Sequence, residues 1–184
     1  VYAHRQRALA LVAQALAPDH ESAGRLSSFC QCSLERAREL AGTELWELRH
    51  SLLPQLLPSR FNGSQLAQQL HDFVKASGRE AAERRHHLRI IFQFAGDLYS
   101  KVVRASCQSA ANRSSSEPGA SEEPLVLQML DEFGPAAQDI ALAALDRSIE
   151  ADIERDRNAN LATLVECWID DLARAMFAPE ATRS

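Results

Sequence analysis

Glycine is scarce in this chain: there are 7 in 184 residues, and they are scattered. A phosphate-binding loop needs clustered glycines so that backbone N–H groups can close on the anion. No G-x-x-x-x-G-K-[ST] run exists, and no G-x-S-x-G nucleophile turn. H-E-x-x-H and EF-hand spacings are missing too. No catalytic residue, cofactor or metal is therefore expected. Strand formers are also few, with 7 valines, 6 isoleucines and 6% aromatics. That argues against a β-sandwich or a doubly wound sheet. No run of 18 apolar residues occurs, so no membrane span is expected.

The charge signal is mild. A net charge of −5 argues against a dedicated nucleic-acid coat, while leaving room for a local basic patch. No export signal is recognised, so a cytoplasmic location and reduced thiols are expected. The four cysteines are Cys30, Cys32, Cys107 and Cys167. The C-x-C pair fits neither a redox motif nor half of a usual zinc site, and all four read as buried, inert thiols. The chain begins at Val1 rather than methionine, which suggests a piece of a longer polypeptide.

What the sequence has in quantity is alanine, 30 copies, and leucine, 24 copies. Both favour helix, and apolar residues recur at helical spacing almost throughout. The fold class is all-α. Three short helices are expected in the first 42 residues. They carry Leu9 to Leu16, then Ala23 to Cys30, then Ala37 to Ala41, with Asp19 and Ser33 as caps. Thr43 opens a longer helix through Leu45, Leu48, Leu52 and Leu56, with Pro54 to kink or end it. Ser64 is expected to cap the next helix, which Gly78 closes.

From about Arg79 to Cys107 runs the longest helical pattern. It is apolar nearly all round, which marks a central helix. Its basic first turns, with Arg84, Arg85, His86, His87 and Arg89, are expected in solvent. Residues 109–123 (SAANRSSSEPGASEE) carry too little apolar surface to order themselves and read as a mobile loop. A short helix follows, stopped at Gly134-Pro135. Leu142, Leu145, Ile149 and Ile153 then mark a helix over about 136–156 as its apolar stripe. The last helix carries Leu161, Leu164, Val165, Trp168, Ile169, Leu172 and Met176 on one stripe, with Asp170-Asp171 and Glu166 on its polar side.

Two short segments have a more specific look. Cys32-Ser33-Leu34-Glu35-Arg36-Ala37 places an arginine in the first turn of a serine-capped helix, where a phosphate could meet it. Arg157-Asn158-Ala159-Asn160 interrupts two helices, and its asparagines suit capping. Together with the central helix pattern from Ile90 to Val103, these segments resemble the C-terminal region of bacterial DNA polymerase III clamp-loader subunits. The arginine directly before alanine is closer to delta-prime than to gamma/tau. Cys32 stands where that family usually has glycine, and the serine-rich stretch lies outside the family pattern.

The resemblance implies several things. Residues 1–42 would end an AAA+ lid, and residues 43–184 would form a helical collar. The nucleotide-binding domain would lie upstream. Ser33 and Arg36 would be weak nucleotide-sensing positions. Arg157, Asn158 and Asn160 would be structural capping residues. Ile90 and Phe94 would belong either to the core or to a face toward neighbouring subunits. The partners would be the other loader subunits, with the sliding clamp and DNA reached only through the AAA+ domain. The competing reading is a ligand-binding or dimerisation domain of a transcription regulator, whose helix-turn-helix the first 42 residues could imitate. A metal-binding bundle is a third: Glu83-Arg84-Arg85-His86 has the Glu-x-x-His spacing, but it supplies too few ligands for such a site.

Overall fold

A computed structural model describes residues 43–78, 80–107, 123–157 and 160–177. Among them all regular structure is helical, with no strand. The elements are α1 (Thr43–Gln55), α2 (Gly63–Ala76), α3 (Ala81–Cys107), α4 (Glu123–Phe133), α5 (Ala137–Asp156) and α6 (Leu161–Phe177), with 3-10 turns at Pro58–Arg60 and Gly134–Ala136. The described residues fall into two compact units: 43–51 with 123–124, and 52–107 with 125–177. The three helices expected before residue 43 lie outside the described residues. So does the loop expected at 109–123, apart from Glu123, which opens α4.

The first unit holds most of α1. Leu45, Leu48 and Arg49 are buried there. The Arg49 guanidinium lies 5.5 Å from the centre of the Trp46 ring, one helical turn away, so the cation is met by a π face. Pro54 lacks an N–H, and the helix ends one residue later. The Leu56 and Leu57 N–H groups then bond three residues back, to the carbonyls of Leu53 and Pro54.

The second unit is a cycle of four helices. The central helix, α3, packs along α5, α5 on α6, α6 on α2, and α2 back on α3. As expected from its pattern, α3 is buried nearly all round. Leu88, Ile90, Ile91, Phe92, Phe94, Ala95, Leu98, Tyr99 and Val102 are all inside. Asn62, not Ser64, caps α2, because its Oδ1 accepts the Gln65 N–H at 3.1 Å and the helix starts at Gly63. The Gly63 position faces Ile169 of α6, where a Cβ would come within 3.2 Å. About two turns further along α2, His71 Nε2 lies 3.2 Å from the Ala162 carbonyl oxygen, so that nitrogen carries the proton. These two contacts make α2 antiparallel to α6.

The basic start of α3 is not in free solvent. Arg84, Arg85, His86 and His87 are half-buried, and only Arg89 among the five is fully exposed. The Arg84 Nε donates to the Gly78 carbonyl at 3.0 Å. His87 meets the Phe73 ring edge-on at 5.8 Å. A long cationic side chain can be half-buried and keep its charged end hydrogen-bonded, as Arg84 does.

The turn Pro58–Arg60 is tied to α4 through Glu132. Its carboxylate accepts the Ser59 backbone N–H at 2.9 Å and the Ser59 hydroxyl at 2.8 Å. Desolvation alone would push this carboxyl up. The hydrogen bonds from Ser59 and Gln128, with the nearby Arg60 charge, outweigh that and hold it below the usual carboxylate range. Gly134 adopts a positive φ of 56°, and Pro135 follows it. That pair breaks α4 from α5 as the sequence suggested.

Candidate interaction surface

α5 carries two stripes, and the structure buries the one made of small residues. Ala137, Ala141, Ala144, Ser148, Ala151 and Arg155 recur at alternating spacings of four and three, and all are buried, with Ile140 beside them. Leu142, Ile149 and Ile153 are exposed, at 39%, 49% and 50%. Leu145 stays half-buried, and a Cβ on Gly96 of α3 would lie 3.6 Å from its methyl. The bulky residues that mark this helix in the sequence therefore form most of an outer face. The reason is size. α3 presents Phe92, Phe94 and Tyr99 to the core, and α6 presents Trp168. A neighbour packed against such bulk must be small for the helices to approach.

One polar group on the small face has a defined role. The Ser148 hydroxyl accepts the Trp168 Nε1–H at 3.2 Å and donates to the Ala144 carbonyl at 2.8 Å. The indole is thereby satisfied while its ring meets Phe92 edge-on, 5.1 Å between centres. Tyr99 contrasts with it. Its hydroxyl is buried without a hydrogen-bond partner among the described residues, and burial pushes its pKa far up.

At its end, α5 buries an arginine. Arg155 is 9% exposed. Its Nε bonds Asp152 at 3.0 Å, and its two terminal nitrogens reach both Asp156 oxygens at 2.9 and 3.2 Å. A guanidinium on the buried face is tolerated because carboxylates flank it and the helix C-terminus is negative. Sequence reading missed this residue. Arg157 follows as the exposed C-cap, its N–H on the Glu154 carbonyl at 3.0 Å. Asn160 opens α6, its Oδ1 accepting the Ala162 N–H at 3.1 Å. Asn158, Ser33 and Arg36 lie outside the described residues.

Ile90 and Phe94 are 3% and 1% exposed, so they are core and offer no surface to a partner. The outer stripe of α5 is the apolar surface that sequence reading missed. The signal that could have found it was the rival stripe of small residues on the same helix. Cys107 and Cys167 carry free, exposed thiols rather than buried ones. Asp170 and Glu166 are exposed on α6, and Arg174 pairs with Asp171 there. Among the described residues no group of three or more His, Cys, Asp or Glu is placed to hold a metal ion. His86 and His87 meet edge-to-face instead, and the His87 Nδ1 lies 2.8 Å from the Glu83 carbonyl oxygen. None of the described helices is long and apolar enough to cross a membrane.

No protein-family model, curated protein or solved structure matches this chain.

Proposed function

We propose that this chain is an assembly module: the C-terminal collar region of a bacterial DNA polymerase III clamp-loader subunit, preceded by the end of an AAA+ lid. In this reading it does no chemistry of its own and works in the cytoplasm. Its collar packs beside those of the other loader subunits and holds the ring that loads the sliding clamp on primed DNA. Clamp, DNA and nucleotide are met by an AAA+ domain upstream. Ser33 and Arg36 lie in the lid part, as weak nucleotide-sensing positions.

The observation that carries this reading is the outer stripe of α5. A bundle whose core is already closed by α2, α3, α5 and α6 still exposes Leu142, Ile149 and Ile153 along one helix. A subunit that must pack beside others needs such a second apolar face. The capped junction at Arg157 and Asn160 and the all-round apolar central helix agree with the resemblance seen in the sequence.

The test is reconstitution. The 184-residue chain is mixed with the delta and gamma/tau subunits of its own organism and run on size exclusion. A stoichiometric complex is expected. A folded chain that elutes alone overturns the proposal. Sequence-specific binding of the chain to duplex DNA would overturn it in favour of a transcription regulator.

A further inference from the structure

The outer stripe of α5 has a chemistry as well as a shape. At 100° per residue, Leu142, Ile149 and Ile153 fall within about 20° of one line along the helix. Asp139, Asp146 and Glu150 flank that line on one side, and Asp152 and Asp156 on the other, each within about 80°. All but the half-buried Asp152 are exposed. Across α5 there are six carboxylates against two arginines. Both arginines are engaged: Arg155 with Asp152 and Asp156, Arg147 with Glu150 at 2.7 Å. Asp139 and Asp146 have no ion-pair partner among the described residues. Arg157, just past the helix, is exposed beyond the far end of the stripe.

From this we infer that the outer face of α5 docks an amphipathic helix whose apolar stripe is flanked by lysine or arginine. A second copy of this same face fits poorly. Two α5 helices brought together about a two-fold axis would set one acidic rim against another, and like charges across an interface cost affinity. A basic helix meets the net negative charge of the face, above all at Asp139 and Asp146, while its apolar residues cover the stripe, the mode by which a helix lies along an apolar seam. This rests on the assembly reading only in taking the face for an interface, and it adds the chemistry of the partner.

The test uses the whole chain and a labelled 18-residue helical peptide. The peptide has leucines at positions 1, 5, 8 and 12 and lysines on both flanks. A control peptide has glutamate in place of lysine. We expect the chain to bind the lysine peptide at least ten-fold more tightly than the control, and added salt to narrow the gap. Ile149→Ser with Ile153→Ser should lose at least ten-fold for the lysine peptide while keeping the helical circular dichroism of the parent. Asp146→Lys with Glu150→Lys should reverse the preference.

Equal binding of both peptides, no binding, or undiminished binding by the serine variant each overturns the inference. Sedimentation showing a dimer that the serine variant loses also overturns it, because a second copy would then own the face. Reconstitution with the loader subunits is scored separately. Peptide preference without subunit association sinks the clamp-loader reading and leaves this inference standing, and the converse result does the reverse.

Discussion

Helices α5 and α6 pack against each other, yet most of the large apolar residues of α6 are inside and those of α5 are mostly outside. In α6, Leu164, Val165, Trp168, Ile169 and Leu172 are all buried. In α5 the buried positions are four alanines, a serine, an isoleucine and an arginine. Hydrophobicity alone would turn both helices by their leucines and isoleucines. What turns α5 the other way is the volume already filled by Phe92, Phe94, Tyr99 and Trp168. A close-packed interior has no room for a second bulky stripe, so the small one goes in. The bulky stripe is left outside, where it is useful only if something covers it.

The comparison breaks most visibly at Trp168. Replacing it with alanine removes the largest fully buried side chain and its contact with Phe92. A loss of about 3–5 kcal/mol is expected in urea unfolding. If size is what orients α5, adding bulk to its inner face should also hurt. Ala144→Leu is expected to cost about 1–3 kcal/mol by overpacking. A neutral result would show that α5 can retreat from α3, and the size argument would fail.

Ser148 sharpens the contrast in polar terms. Ser148→Ala removes the acceptor of the Trp168 Nε1–H and leaves a buried donor unpaired, at about 1–3 kcal/mol. Tyr99→Phe deletes a buried hydroxyl that has no described partner, so its unfolding free energy should match or exceed the parent's. Opposite signs for these two conservative deletions are the expected outcome. Two losses of equal size would show that Tyr99 has a partner after all.

Much of this was legible in the sequence. The helical class, the central position of α3, the stripe of α6 and the break at Gly134-Pro135 all follow from periodicity and breakers. Those signals are local, since each depends on residues within a turn or two. What failed was relational. The inward face of α5 depended on how much volume α3 and α6 had already claimed. The half-burial of Arg84 and His87 depended on α2 folding back beside them. Asn62 displaced Ser64 as the cap because Gly63, the position that faces Ile169, already lies inside the helix. The burial of Arg155 depended on its place on the inner stripe beside Asp152 and Asp156.

The smallest effect on stability is expected at Ile149, and it tests the comparison from the side where nothing should happen. Buried isoleucine is costly to truncate, by about 2–5 kcal/mol to alanine. Ile169 of α6, 2% exposed, should behave that way. Ile149 is the same residue on the neighbouring helix but half-exposed, so Ile149→Ser removes little area from the core. A change within about 0.5 kcal/mol is expected in urea unfolding of the isolated chain. Isoleucine and serine have similar helix propensities, so the exchange adds little on that account. A loss of several kcal/mol would mean that the outer stripe is covered within the chain, and the face would then not be open to any partner. A neutral result keeps an isoleucine at that position unexplained by folding, and leaves association as the physical reason for a bulky apolar row on an acidic helix.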